Sequence, residues 1–407
     1  MSMKRIFSLM ALLLAAASAI IYLNGLPAWS EFRPPLFDVS AAGREKAPTN
    51  SAANLLLSKF DPQETGAWVA NSMAASVHAA SLIPLSDGNL RAFWFAGSRE
   101  GAEDVVILSS MLNTKTGNWS EPTVVMDRIT AEKGLSRYIA KLGNPVPAWD
   151  TDGRLRLFFV TVSIGGWAGS SISSIVSNDE GINWERPNRL ITSPFLNLSS
   201  LVKSPAIRFA DGRLGLPSYH ELLGKFGEFL RLDAHRVIDK RRMSAGRASL
   251  QPLVFIESTE QATALFRQAR SAGPAQIPSS ITHSAGYWWE QASDLMLPNP
   301  NSAITGVQLP DGTRLLVLND LAVGRHRLVL LMATPQETRY SAWRLISVLE
   351  DDSNLPTAER REFSYPFLTV TSNGDAHLVY TWDRKKIRHL QLPAEWLKIR
   401  RSDLRPS

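Results

Sequence analysis

Gly97-Ser98-Arg99-Glu100-Gly101-Ala102-Glu103-Asp104 sets one guanidinium and three carboxylates between two apolar runs, Phe93-Trp94-Phe95-Ala96 and Val105-Val106-Ile107-Leu108. Both runs read as buried strands, and strand ends at one rim of a β scaffold are where catalytic groups are commonly presented. An arginine there can hold an anion, and a carboxyl can exchange a proton with a bound substrate. The plainer reading of the same octet is a solvated hairpin loop. What decides between them is the set of elements around it.

The chain has 407 residues, a net charge of +6, 44% hydrophobic and 20% charged residues, which describes a globular protein with a substantial core. A mildly basic balance suits an anionic substrate or a membrane surface. No basic, aromatic-interleaved stripe marks it for nucleic acid. There is no cysteine, and the seven histidines form no HxxxH, so disulfides, thiol nucleophiles and Cys-ligated zinc are excluded. Nothing in the sequence points to a metal or a cofactor.

From Ser76 onward, short apolar runs alternate with turns. Asp87-Gly88, Asp152-Gly153, Asp211-Gly212, Asp311-Gly312 and Asn373-Gly374 each separate two strand-like runs, at intervals of 65, 59, 100 and 62 residues. Such dipeptides supply the positive φ of a tight hairpin. The long interval contains a further hairpin-like turn, Ser258-Thr259-Glu260-Gln261, which makes six. A hairpin unit repeating every 50–60 residues or so predicts an all-β, six-bladed β-propeller. Two β-sandwich domains would not give a regular period.

A second pattern overlies the first. Ser177-Asn178-Asp179-Glu180-Gly181-Ile182-Asn183-Trp184 fits S-x-D-x-G-x-x-W in full. Thr282, Ser284, Gly286 and Trp289 form a degenerate copy, with looser ones around Gly117-Asn118-Trp119 and Trp343. The aspartate caps backbone N–H groups, the glycine takes a strained φ and the tryptophan packs beneath, so the motif is structural.

At the N-terminus, Lys4 and Arg5 precede an uncharged segment to Ser30, predicting a signal peptide or signal anchor over residues 1–30 and an exported, periplasmic or otherwise extracytoplasmic protein. Ala17-Ser18-Ala19 offers a cleavage site, yet the apolar run is long enough to span a bilayer as an inner-membrane anchor. Residues 31–70 read as a linker, with Pro34-Pro35 and a Ser/Ala/Asn-rich patch from Thr49 to Asn54. Residues 71–393 hold the propeller, and 394–407 form a basic tail with Lys398, Arg400, Arg401 and Arg405.

The S-x-D-x-G-x-x-W box, the propeller period and the stretch around Arg99 together resemble the sialidase (neuraminidase) superfamily, in its bacterial BNR-repeat branch, over roughly Ser76 to Leu392. The resemblance implies a glycosidase with three arginines for the substrate carboxylate, an Asp acid/base on a loop, and a Tyr nucleophile primed by a Glu. A phenol suits this substrate because a carboxylate nucleophile would be repelled by the sugar's own carboxylate. Carried over position by position, Arg99, Arg267 and Arg325 match arginines, with Arg327 as an alternative to Arg325. Asp104 matches the acid/base and Tyr365, in Phe363-Ser364-Tyr365-Pro366, the nucleophile. Two positions depart: His78 stands where the first arginine is expected, and Gln251 where the glutamate is. Phe32-Arg33-Pro34 resembles the first arginine's motif but lies too far upstream.

Polar residues recur at equivalent places in other blades. Tyr219-His220-Glu221 follows its hairpin as the Arg99 loop follows its own, and Glu221 could replace the missing carboxylate. Asn301, in Asn299-Pro300-Asn301-Ser302, opens a blade as His78 does, and so does Asn144-Pro145. Trp94, Tyr380 and Trp382 read as core, and Arg384-Lys385-Lys386 as a solvated face or a contact with anionic lipid. Three functions are open at this point: a glycosidase acting on an acidic glycan or glycoconjugate, a uronate lyase using His78 and Tyr365, and a propeller that binds glycan or protein without turnover.

Overall fold

Five turns of one build set the architecture. In each, a side-chain oxygen of Asp87, Asp152, Asp211, Asp311 or Asn373 accepts the backbone N–H two residues on, at 2.9–3.2 Å. The glycine that follows takes φ between +80° and +87°, which a side chain would disfavour. At the sixth turn the Ser258 hydroxyl accepts from Glu260 and Gln261 at 3.3 and 3.0 Å.

Each turn joins the first two strands of an antiparallel sheet, and the computed structural model contains six such sheets of four or five strands. It describes residues 3–24, 29–34, 60–63, 66–69, 74–193, 197–244, 248–334 and 343–403. The innermost strands are Ser76–Pro84, Lys141–Trp149, Leu201–Val202, Ser249–Ile256, Thr305–Gln308 and Phe363–Val370. Consecutive sheets pack on one another and the sixth returns to the first, so the fold is a closed six-bladed propeller. Burial falls outward from the centre. Every residue of Leu155–Val162 is buried, because neighbouring blades cover both of its faces, whereas no residue of the outer strand Arg236–Arg242 is. Trp94 and Tyr380 lie in this core as expected, and Tyr380 Oη donates to Glu350 at 2.6 Å.

The S-x-D-x-G-x-x-W box is the self-contained turn its sequence implied. Asp179 Oδ1 accepts from Ile182 N at 3.1 Å and Asn183 N at 2.8 Å, while Ser177 Oγ accepts from Gly181 N at 2.7 Å. Trp184 packs edge-on to Phe93. In the degenerate copy Thr282 Oγ1 takes the N–H of Gly286, and Trp289 is buried against Phe229. Both boxes join third and fourth strands. They therefore share a rim with the Asp-Gly turns, opposite the rim that carries the Arg99 loop.

Two boundaries differ from the expectation. The 31–70 stretch is not only a linker. Ala67–Trp68 is the fourth strand of the sixth blade, with Ala67 opposite His389 and Trp68 opposite Arg388. Phe32 is fully buried, stacks on Phe209 at 5.5 Å and donates its N–H to Thr259 O at 2.7 Å. Apolar side chains that complete a core hold these segments in place. The Thr49–Asn54 patch lies outside the described residues. Nor is 394–407 simply a basic tail: Ala394–Ser402 is a helix that buries Trp396 and Leu397 against the sixth blade and its neighbour. Of its basic residues, Arg401 pairs with Asp311 and Arg400 lies over the Trp396 ring, and Arg405 lies outside the described residues.

The first 30 residues form a separate unit, helical over Met3–Asn24. Among the described residues no helix is long and apolar enough to cross a membrane, so the fold lends no support to a spanning anchor.

Candidate active site

At the start of each blade one non-glycine residue adopts left-handed backbone geometry: Ala79, Asn144, Ser199, Gln251, Asn301 and Tyr365, with φ between +46° and +58°. Four of them sit in bulges that interrupt the ladder to the second strand, at His78/Ser81, Gly143/Val146, Leu250/Leu253 and Ser364/Phe367. Such a conformation costs roughly 1–2 kcal/mol per residue and re-aims the side chain. Repeated around the ring, it places one residue per blade at the same mouth.

A continuous polar chain runs through that mouth and touches all six blades. Glu100 accepts from Arg384 Nη1 at 2.8 Å, and Arg384 Nε donates to Glu362 at 3.2 Å. Glu362 also accepts from Arg325 Nη1 at 3.1 Å, while Arg325 Nη2 donates to Asn301 O at 3.1 Å. Arg267 Nε donates to Asn301 Oδ1 at 2.8 Å, and its Nη1 lies 3.4 Å from both Gln251 Oε1 and Tyr365 Oη. Gln251 and Asn144 in turn each donate to Tyr219 Oη at 3.3 Å.

Tyr365 lies among buried cations and rings. Its ring centroid is 4.3 Å from that of His78 and 6.0 Å from Lys203 Nζ. His78 is 1% exposed, and neither of its ring nitrogens has a hydrogen-bond partner among the described residues. Burial, and then the charge of Arg384, push its imidazole down to about 3, so it is neutral at any ordinary pH. Lys203 Nζ donates to Pro366 O at 3.0 Å, and burial brings its ammonium down to about 7.

Carboxyls are tuned in opposite directions here. Burial pushes Glu221 up, more than the cations Arg267 and Lys225 lower it, so it is biased toward the protonated acid. For Glu362 burial acts the same way, but Ser364, Arg325 and Arg384 outweigh it and keep the carboxyl below its usual range. The Tyr219 phenol is pushed up by burial, with Tyr365 and Glu221 adding to the shift, and it stays protonated.

Of the residues expected from sequence, His78, Tyr219, Gln251, Arg267, Asn301, Arg325 and Tyr365 meet in this cluster, and Glu221 stands within electrostatic reach of Arg267 and Tyr219. Arg99 and Asp104 are exposed on their loop. The Asp104 carboxylate accepts from Ser98 N and Oγ at 2.8 and 2.9 Å, and the loop joins the cluster through Glu100 instead. Arg327 points elsewhere, pairing with Asp320 and Asp351. Sequence reasoning missed Lys203, Glu362 and Arg384. Arg384 lies in a basic run that reads as solvated surface, yet it takes left-handed geometry at φ 54° and pairs with two glutamates. The X-Pro pairs Asn144-Pro145, Gln251-Pro252 and Tyr365-Pro366 are a signal that could have located half of the left-handed positions.

The arrangement is that of a closed propeller whose arginines, tyrosines and carboxyls gather at one mouth of the central channel. The BNR repeat-like domain model matches residues 88–378, and the chain belongs to that family, within the sialidase-like BNR-repeat superfamily. Similar solved structures include a protein of unknown function from Dyadobacter fermentans (12% identity, TM-score 0.64, covering 80% of this chain and 97% of that one). Another is the NanB sialidase of Streptococcus pneumoniae (12% identity, TM-score 0.64, 80% and 70%). A third is an intramolecular trans-sialidase from Ruminococcus gnavus, solved with oseltamivir carboxylate (12%, 0.61, 82% and 97%). At this identity the likeness concerns the fold. No curated protein matches the chain.

Proposed function

We propose that the protein is an exported, sialidase-like glycosidase acting on an acidic-sugar glycoside. The observation that carries this reading is the junction of Tyr365 Oη with Arg267 in a network that also contains Arg325 and Arg384. Three guanidiniums linked in one network form an anion cradle, and guanidinium is the group best matched to a planar carboxylate. Arg384 contributes the guanidinium that His78 does not. In this reading Tyr365 gives its phenol proton to solvent water and attacks the anomeric carbon, while Glu221, biased toward its protonated form, gives a proton to the departing oxygen as the glycosidic bond breaks. Asp104 takes part only once its carboxylate leaves Ser98. Oseltamivir carboxylate in the Ruminococcus gnavus enzyme supports an acidic glycan as the ligand class. The Lys4-Arg5 n-region with its apolar segment supports export.

Incubation with aryl sialosides and nonulosonic-acid glycosides should release the aglycone, and Tyr365→Phe should abolish the release. No release, together with a Tyr365→Phe variant indistinguishable from wild type in glycan binding, would sink the reading.

A second reading, acidic-glycan binding without turnover, draws on one specific observation. Gln251 stands where a carboxylate would prime the phenol, and an amide cannot take a proton. Lyase chemistry is disfavoured, because an imidazole held at about 3 is too weak a base to abstract a sugar proton.

A further inference from the structure

We propose that Lys203 is the positioning residue that holds Tyr365 at the centre of the site, bracing the blade that carries it from the far side of the ring; the inference rests on the reading of Tyr365 as the reactive group. Lys203 follows the inner strand Leu201–Val202 of the third blade, and Tyr365 lies on the inner strand Phe363–Val370 of the sixth. In a ring of six these blades face each other. Lys203 therefore crosses the central channel to reach Pro366 O at 3.0 Å, and its Nζ lies 5.1 Å from the centroid of Phe367 and 6.0 Å from that of Tyr365. The lysine thus contacts Tyr365 and the two residues after it.

The need for such a brace follows from the local backbone. Tyr365 is left-handed at φ 51°, and the ladder to Ala376–Trp382 breaks between Ser364 and Phe367. Pro366 has no N–H and faces no partner residue in the break, and the Lys203 ammonium donates to its carbonyl. Without it the bulge leaves a buried acceptor unsatisfied, and regular pairing becomes the competing state. Because side chains alternate along a strand, closing a one-residue bulge turns Tyr365 toward the other face of the sheet.

Stability alone does not account for this lysine. It is 3% exposed, and no carboxylate pairs with it among the described residues. A methionine of similar length would fill the space without the desolvation cost of a charge. The carbonyl contact and the two aromatic faces offset only part of that cost. Retaining a buried cation is therefore a feature of the site and its tyrosine, not of the core.

The test uses the full-length protein with Lys203→Met and, as a neutral donor, Lys203→Gln. Crystal structures of both are compared with wild type, alongside kcat, KM and melting temperature. In Lys203→Met, Tyr365 is expected to leave its left-handed geometry and lose contact with Arg267. kcat on an aryl sialoside should fall about a hundredfold, the usual penalty for a misplaced reacting group. KM should change little because the three arginines are untouched, and the melting temperature should hold or rise. Lys203→Gln should recover part of the loss.

The pH profile gives a further readout, with His78 and Tyr365 as the titratable groups facing the lysine. Wild-type activity should weaken only in part as pH rises past about 7, where Lys203 becomes a neutral amine that still donates to Pro366 O but loses its cationic contact with the two aromatic faces, and the Met variant should lack that limb. If Tyr365 stays in place in Lys203→Met with kcat unchanged, the inference is overturned. It is equally overturned if the only effect is a lower melting temperature. Should the wild type turn over no substrate, the glycosidase reading fails by itself, and the position of Tyr365 in the variant structure still decides the role of Lys203.

Discussion

Glu362 accepts a hydrogen bond from Arg384 at 3.2 Å, and its other oxygen takes one from Arg325 at 3.1 Å. One carboxylate thereby fixes two guanidiniums that come from separate blades. The pairing matters because the inner strand of the first blade offers His78, a neutral group, where a cation is expected. The charge is supplied instead from the turn that follows Trp382.

Replacing Glu362 with glutamine should release both arginines from fixed geometry without altering their charge. Affinity for free N-acetylneuraminic acid, measured by calorimetry, should fall about tenfold, equivalent to about 1.4 kcal/mol. Arg384→Ala should cost at least as much. An unchanged affinity in both variants would remove Arg384 from the cradle.

Gln251 is the second departure and admits a gain-of-function test. Its Oε1 lies 3.4 Å from Arg267 Nη1 and its Nε2 donates to Tyr219 Oη. In Gln251→Glu the carboxylate keeps the arginine contact, accepts from the Tyr219 hydroxyl and provides a proton acceptor beside Tyr365. Aglycone release should rise by about tenfold or more, at the lower end of what general-base catalysis contributes.

Acid should loosen the sixth blade before the others. His377 Nδ1 and His389 Nε2 are 3.1 Å apart in parallel rings, with Trp119 of the first blade edge-on to His389. Burial holds His377 near 4, against the pull of Asp375, and burial with His377 and Arg388 holds His389 near 3. Both folded values lie below the unfolded 6.5, so the unfolded chain binds more protons. Stability is then full above about pH 6.5 and falls by up to about 1.4 kcal/mol per pH unit for each histidine as pH drops toward those values. Chemical denaturation between pH 7 and 4 should show this slope, and His377→Phe with His389→Leu should reduce it, leaving the part due to His78, which burial also holds near 3.

Asp179→Ala removes an acceptor of four hydrogen bonds within its box. It should lower the melting temperature while leaving kcat and KM intact, since the box lies on the rim away from Tyr365. Loss of activity beyond the loss of folded protein would contradict the separation of the two rims.

The propeller was legible because its turns are local devices: an Asp-Gly or Asn-Gly pair carries its own hydrogen bond and its own φ, and five of them, with the Ser258 turn, fix a period. Site residues on the first two strands of a blade, such as Tyr365 and Arg267, were legible through family resemblance at matching positions. Lys203 and Arg384 were not, because charge alone does not separate a solvated lysine from one that crosses a channel. Arg99 and Asp104 matched in spacing, yet the side chain that joins their loop to the network is Glu100. Spacing locates a loop; which of its residues faces inward is decided by partners distant in sequence. The helix Ala394–Ser402 was hidden likewise, its basic residues masking the buried Trp396.

The fourth strand of the sixth blade, Ala67–Trp68, precedes the first blade in the chain. It has no partner until Lys386–Leu392 has been made, so the ring cannot shut before that strand exists. A chain ended before residue 363 holds Arg267 and Arg325 but neither Tyr365 nor Arg384. Ring closure and the cluster around Tyr365 are therefore completed by the same stretch of polypeptide, and a truncated product is left with an open sheet edge and without Tyr365.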